Sequence, residues 1–260
     1  MTFADPKLRF SNRVADYVRY RPSYPSALID LLRGECGLRP DQAVADVGSG
    51  TGLLSKLFLE NGNRVLGIEP NEEMRRAGEE YLAAYKSFSS VRGSSEATTL
   101  ADSSVDFITA AQAFHWFEPI ATRREFLRIL KPNGWVVAVW NFRERETRFG
   151  KAYEDILVRY GTDYTRVRKS YPESHDMHGF FLGGEVLQRA LPGERLLDWD
   201  ELAGLLRSAS YIPQEGHVNF APMMAALREL FDANQESGSV RMDYTTQIYF
   251  GRLDAVRNSG

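Results

Sequence analysis

One cysteine in 260 residues, Cys36, excludes an intramolecular disulfide framework and any cysteine-built zinc or iron–sulfur centre. A reducing compartment is the expected home. No apolar run approaches the roughly 20 residues that cross a bilayer, since the longest extends only from Trp135 to Trp140. Met1 to Phe10 mix Asp5, Lys7 and Arg9 with Pro6 and hold no apolar stretch, so no signal peptide is expected and the chain reads as soluble and cytoplasmic, with no membrane partner. Nor is there an excess of positive charge. Lys and Arg number 32 against 35 Asp and Glu, a formal net charge of −3, and the footprint of a general nucleic-acid binder is missing. Histidine is scarce, and the one spaced pair, His175 and His178, has no further histidine or cysteine ligand beside it, so no metal is expected. The partner left by these exclusions is a small molecule. With 43% hydrophobic and 26% charged residues the composition is that of a globular chain able to build an apolar core.

The pattern along the chain has a rhythm. Phe10, Val14, Tyr17 and Val18 recur at helical spacing until Arg21-Pro22-Ser23-Tyr24-Pro25 breaks the helix, because proline disfavours helical geometry in the residue before it. A second helix is expected from Ser26 to Arg33. Ala43 to Val47, Arg64 to Ile68, Ser87 to Val91, Val105 to Ala110 and Trp135 to Trp140 are short runs rich in Val, Ile and Phe. Helix-patterned stretches lie between them at Leu53 to Glu60, Glu72 to Ala84 and Thr122 to Leu130. Strand and helix alternating at this pitch imply βαβ units, hence a parallel sheet covered on both faces. The expected fold is α/β, a doubly wound, mostly parallel sheet. After Asn141 the rhythm stops, and Phe142 to Asp198 read as an irregular cap over the carboxyl end of the sheet, whereas Val240 to Phe250 read as a late strand at its edge. The divisions expected on this basis are leader helices over 1–40, a core over 41–142, a cap over 143–198 and completion of the sheet over 199–260, within one domain.

The sharpest local signal is Asp46-Val47-Gly48-Ser49-Gly50-Thr51-Gly52, between the first expected strand and the helix after it. Three glycines at alternate positions strip the loop of side chains, so a ligand can lie against bare peptide planes. Asp46 could fix the loop through hydrogen bonds or receive a cationic group. Glu69, at the end of the next strand, can accept both hydroxyls of a ribose. The pair implies a cofactor containing a nucleoside. A dinucleotide fingerprint wants glycine where Leu53 stands, and Asp46 would oppose a pyrophosphate by charge, so the loop suits a ligand carrying an amino group. A nicotinamide-dependent oxidoreductase is the alternative enzyme class, and a non-catalytic binding module the alternative outside enzymes.

These residues resemble the class I S-adenosylmethionine-dependent methyltransferases over roughly Phe10 to Asn141, and look closest to the small-molecule branch that includes trans-aconitate and ubiquinone-pathway enzymes. The resemblance implies a Rossmann-like, seven-stranded sheet with an N-terminal leader helix and a cap inserted after strand five. It also implies S-adenosylmethionine as cofactor and a small-molecule acceptor. By the same resemblance Asp46, Gly48, Ser49, Gly50 and Gly52 hold the methionine portion, Glu69 the ribose, and the segment with Asn71 and Met74 the adenine. Arg92-Gly93-Ser94-Ser95-Glu96 is similar to the segment that grips the adenine amino group, with Ser94 where the family has aspartate, so Ser95 and Glu96 are left to serve. Ala111 and Gln112 match the lining of the methionine arm. Tyr17 and Arg21 match a leader that closes over the cofactor carboxylate, and His115 and Trp116 face the substrate, with Asn141 and Tyr171 as further substrate contacts. His115, the only histidine next to the expected cofactor loop, is the candidate general base or substrate orienter. Arg143, Arg145, Arg166, Arg168 and Lys169 in the cap could present cations to an acidic acceptor such as a carboxylate.

Overall fold

The structure, a computed structural model, describes residues 19–168, 177–181 and 185–253. Five strands run parallel: β1 (Ala43–Val47), β2 (Arg64–Ile68), β3 (Phe88–Val91), β4 (Val105–Ala111) and β5 (Leu130–Arg143). Helix α1 (Ala27–Cys36) leads into β1, and α2 (Leu53–Glu60), α3 (Glu72–Tyr81) and α4 (Pro119–Ile129) are the crossovers. After β5 come α5 (Arg148–Tyr160), α6 (Tyr164–Arg168) and α7 (Met177–Phe181), then β6 (Val186–Leu197), α8 (Trp199–Arg207), α9 (Phe220–Asn234) and β7 (Val240–Gly251). The sheet order is β3-β2-β1-β4-β5-β7-β6, with β7 antiparallel to both neighbours. This is an α/β, doubly wound, mostly parallel seven-stranded sheet. Strand order reverses between β1 and β4, which opens a crevice at the carboxyl ends of those strands.

The central strands are near-continuous apolar runs because helices cover both of their faces. Val44, Phe58, Val65, Phe107 and Val139 pack on one side with Leu28 and Leu32 of α1, while Ala45, Val47, Ile68, Ile108 and Trp140 pack on the other with Phe126 and Ile129 of α4. Each large side chain so buried contributes about 1.5–3 kcal/mol. In β7 every second residue from Val240 to Phe250 is buried, the alternation that period-two geometry demands of a half-covered strand. A third apolar cluster lies beyond the carboxyl edge of the sheet, where Phe149, Tyr153 and Leu157 of α5 meet Leu202 and Leu206 of α8, Leu227 and Phe231 of α9, and Met242 and Tyr244 at the start of β7.

Two expectations change here. Residues 186–197, read as irregular chain, form the outermost strand, pairing with β7 from Val186 opposite Gly251 to Leu197 opposite Val240. Pro192 and Gly193 hide it in the sequence, and an edge position is where a strand tolerates proline, which has no N–H to give the ladder. The stretch after Asn141 is likewise more regular than its composition suggests. Thr147 caps α5 by accepting from the Gly150 amide, and Phe149, Tyr153, Ile156 and Leu157 form a buried helical stripe that the charges around them disguise. At the start of the described chain Arg19 and Tyr20 are helical, whereas Tyr17, Tyr171 and His175 lie outside the described residues.

Candidate active site

Gly48, Gly50 and Gly52 adopt φ of 70°, 56° and 83°, the left-handed region that favours glycine. Gly48 N–H and Ser49 N–H both donate to the Ile68 carbonyl, at 2.8 and 3.1 Å, which folds the loop back across the end of β2. Crowding fixes it there. A Cβ on Gly48 would stand 2.6 Å from the Ala113 Cβ, one on Gly52 2.5 Å from Leu82 Cδ1, and one on Gly50 3.3 Å from the terminal methyl of Met74. Helix α3 reaches the loop because Asn71 caps it, its side chain accepting from Met74 N–H at 3.0 Å, with Glu72 and Glu73 favourably placed against the helix dipole.

Two buried carboxylates flank this loop. Asp46 is 1% exposed, and both of its oxygens are engaged within the protein, by Ser55 Oγ–H at 2.6 Å and Thr109 Oγ1–H at 3.0 Å. It therefore ties the end of β1 to α2 and to β4, and does not face the crevice as a free acceptor. Burial pushes its carboxyl up to about 6, against the hydroxyls and the Ser55 amide that favour the ionised form. Glu69, 8% exposed, accepts from Gly50 N–H at 2.9 Å on one oxygen and from Asn71 N–H at 2.8 Å on the other. Burial raises its pKa, the two backbone donors lower it, and the negative Asp46 nearby raises it again. A carboxylate offers about four lone-pair sites, so Glu69 retains one on each oxygen for a pair of ligand hydroxyls.

Because the folded pKa of Asp46 lies above that of an unfolded aspartate, the unfolded chain loses its proton first as pH rises. Stability from this group is greatest at low pH and falls between about pH 4 and 6, by roughly 3 kcal/mol in all. Asp46→Asn cannot ionise. Its melting temperature, relative to the parent, is expected to climb as pH is raised from 4 to 8, and parallel melting curves across that range would contradict the assignment.

The other expected residues sit on the rim of the crevice. Ser95 is buried, its hydroxyl donating to Glu96 Oε1 at 2.8 Å, and Glu118 N–H donates to the same oxygen at 3.2 Å. Burial of Glu96 is outweighed by hydrogen bonds from Ser94, Ser95 and Glu118, which hold its pKa below the usual carboxylate value. Glu125 fastens the far end of this segment, accepting from Thr98 N–H at 2.8 Å and Thr98 Oγ1–H at 2.6 Å. Ala111 ends β4. Gln112 follows at φ 54°, its amide N–H bonded to the Val139 carbonyl and its side-chain amide donating to the Asn141 carbonyl at 3.0 Å. His115 and Trp116 are half-buried in a 3-10 turn, Phe114–Trp116, with their rings 4.8 Å apart. Phe114 anchors that turn edge-on against Phe180 at 4.6 Å.

Two residues stand differently from expectation. The side-chain amide of Asn141 is committed on both ends, donating to the Ser23 carbonyl at 3.2 Å and accepting from Thr246 Oγ1–H at 2.6 Å, so it straps the leader to the sheet. Arg21 reaches the end of α8 and donates to the Ser208 carbonyl at 3.2 Å. Arg143, expected as a cap cation, is joined by residues that the sequence did not single out. Arg143, on β5, packs its guanidinium 4.4 Å over the Tyr153 ring and donates to Glu154 Oε2 at 2.7 Å, which also receives the Tyr164 hydroxyl. Among the described residues no group of three His, Cys, Asp or Glu side chains is placed to hold a metal ion.

Comparison with known proteins gives this geometry a family. Residues 45–138 match the model of a methyltransferase domain. Two uncharacterised methyltransferases of Schizosaccharomyces pombe are similar over nearly the full length. One is 29% identical over 256 residues, 95% of this chain and 96% of that protein, and the other 30% identical over 254 residues, 96% of each. Among solved structures, a candidate type II methyltransferase from Anaeromyxobacter dehalogenans superposes with a TM-score of 0.67 at 24% identity, over 90% of this chain and 98% of that one, a likeness of fold.

Proposed function

The chain belongs to the class I S-adenosylmethionine-dependent methyltransferases, and from that premise we propose that it methylates a small-molecule acceptor, acidic in character, with His115 orienting or deprotonating the nucleophile. The observation that carries the cofactor side is Glu69. Its carboxylate is fixed by two backbone donors and keeps two lone pairs, the number that vicinal ribose hydroxyls require. The residues fit the cofactor: the glycine loop at φ near 60–80° is closed against any Cβ, and the two carboxylates beside it favour a ligand bearing positive charge over a pyrophosphate. Gly48, Ser49, Gly50 and Gly52 would hold the methionine portion, Glu69 the ribose, and Asn71, Met74, Ser95 and Glu96 the adenine side. Asp46 serves from behind, holding the loop, while Ala111 and Gln112 border the methionine arm and Arg21 links the leader to the end of α8.

S-adenosylmethionine supplies a methyl group already activated on sulfur, so the protein's work is alignment and exclusion of water. The aromatic turn Phe114–Trp116, packed under Phe180, gives the acceptor side a rigid apolar wall on which His115 is displayed. His115 can take a proton from an acceptor hydroxyl, amine or acid as the new bond forms. His115→Ala is expected to lower kcat about 100-fold, the low end for general-base loss because the electrophile is preactivated, with S-adenosylhomocysteine affinity unchanged. Full turnover of the variant from pH 6 to 9 would remove His115 from the reaction. Tyr171 is proposed as a further substrate contact, and the division into leader, core, cap and sheet completion assigns the substrate side to the cap.

A small molecule fits better than a nucleic acid, since the net charge is −3, and Arg143 and Arg145 in the cap are the cations proposed to meet an acidic acceptor. A cytoplasmic location is consistent with a lone buried thiol, and among the described residues no helix is long and apolar enough to cross a membrane. The test of the whole reading is transfer of labelled methyl from S-adenosylmethionine across a panel of small carboxylates, phenols and amines. Label appearing in an acid is the expected result, whereas label confined to amines would overturn the acidic class.

A further inference from the structure

The start of β7 and the end of β5 carry a side-chain cluster outside the cofactor crevice. Arg143 pairs directly with Tyr244 across the two strands, and Asn141 with Thr246, so all four residues share one face of the sheet. Asn141 is joined to Gln112 at the mouth of the crevice, and Arg143 stands two residues, about 7 Å, further out along the same strand. Helix α5 brings Tyr153 and Glu154 to this place, and Tyr211 arrives from the loop after α8 with its ring 4.9 Å from that of Tyr164.

Arg143 is a buried guanidinium whose Nη2 serves Glu154 but whose Nε–H has no acceptor among the described residues. The phenols of Tyr153, Tyr164 and Tyr244 stay protonated, because burial drives their pKa values up, Tyr244 to about 12, and they act as donors at neutral pH. Glu154, the carboxylate of the group, receives Arg143 and the Tyr164 hydroxyl on Oε2, with Arg145 Nη1 3.9 Å from Oε1, and the Tyr244 hydroxyl donates to Met242 Sδ at 2.9 Å. Tyr153 is 3% exposed, its ring lying under the Arg143 guanidinium. Burying a guanidinium with one N–H left without an acceptor costs free energy that a bound acceptor group would recover. Beside the cluster, Arg145, Glu146, Lys151, Glu154 and Asp155 line a cleft open to solvent.

We propose that Arg143, Tyr153 and Tyr244 form the subsite that receives a carboxylate of the methyl acceptor, with Glu154 as the fixed counter-ion that holds the guanidinium in place. The inference rests on the reading of this protein as a methyltransferase with an acidic acceptor, and assigns that acidity to particular side chains. A carboxylate brings acceptor lone pairs and no donors, which suits the unpartnered Arg143 Nε–H. The same guanidinium would repel a cationic acceptor, so the subsite selects by charge as well as by hydrogen bonding.

Thermal denaturation of the full chain, with and without saturating S-adenosylhomocysteine, tests this using succinate, citrate and benzoate against succinamide, citramide and benzamide at matched ionic strength. At least one acid should raise the melting temperature by about 2–4 °C where its amide does not. Arg143→Gln should abolish that shift and Tyr153→Phe should weaken the acid's apparent affinity about tenfold, both keeping the shift given by S-adenosylhomocysteine. If Arg143→Gln does not fold, Tyr153→Phe decides alone, since loss of one hydroxyl leaves the packing of its ring intact. Acids that stabilise no better than their amides, or variants that leave the acid shift unchanged, would overturn the subsite. Failure of S-adenosylhomocysteine to shift the parent protein contradicts the cofactor reading, and the acid comparison made without it still decides the subsite.

Discussion

Glu69→Ala is expected to weaken S-adenosylhomocysteine binding by about 100- to 1000-fold, with the secondary structure of the free protein retained. Two losses combine. Each ligand hydroxyl bonded to an ionised carboxylate contributes on the order of 1.5–3 kcal/mol, and removal of the side chain also strips the acceptors from Gly50 N–H and Asn71 N–H, which set the loop and the start of α3. About 3–4 kcal/mol in all corresponds to that range of dissociation constants. Glu69→Gln separates the two effects. Its amide oxygen can keep one backbone donor, yet its amino group faces the other as a second donor, so an intermediate loss is expected. Calorimetric titration of both variants provides the check, and an Ala variant within tenfold of the parent would show that the carboxylate is only a loop fastener.

Gly48→Ala is expected to cost about 2–5 kcal/mol of folding stability and to bring cofactor affinity below detection. Two terms contribute: a left-handed φ of 70° for a residue bearing a Cβ, about 1–2 kcal/mol, and a Cβ 2.6 Å from that of Ala113, an overpacking of about 1–3 kcal/mol that no rotamer change relieves. Gly37 provides the internal control. It has nearly the same φ, 66°, at the end of α1, with nothing within 4 Å of a Cβ, so Gly37→Ala carries only the backbone term. Urea unfolding of the two variants should differ by at least about 1 kcal/mol, with S-adenosylhomocysteine still bound normally by Gly37→Ala. Equal losses would mean that the approach of the loop to Ala113 is unimportant.

The parts of this fold visible in the sequence are those governed by local rules. The alternation of buried strands with helical stripes, the glycines of the loop and the spacing from Gly50 to Glu69 are each set within a few turns of chain, and the structure reproduces all of them. What escaped depends on distant partners. For Asp46 the sequence leaves loop-fixing and ligand-binding both open, because its two hydroxyl donors, Ser55 on the next helix and Thr109 on a strand much later in the chain, carry no mark of their role. Asn141, expected to touch substrate, turns out to be a strap because Ser23 and Thr246 meet it from opposite ends of the chain. Strand β6 is hidden by Pro192-Gly193, which an edge position accommodates. The cluster around Arg143 draws Tyr153, Tyr211 and Tyr244 from three separate elements, and only the return of β7 beside β5 brings them together.

Co-crystallisation with S-adenosylhomocysteine bears most directly on the central claim, that a side-chain-free loop and the carboxylate at the end of β2 together seat the cofactor. The account predicts both ribose hydroxyls within hydrogen-bonding distance of the Glu69 oxygens and the amino acid end lying against Gly48 to Gly52. Electron density placing the ribose elsewhere, with Glu69 still bonded only to Gly50 and Asn71, would contradict it.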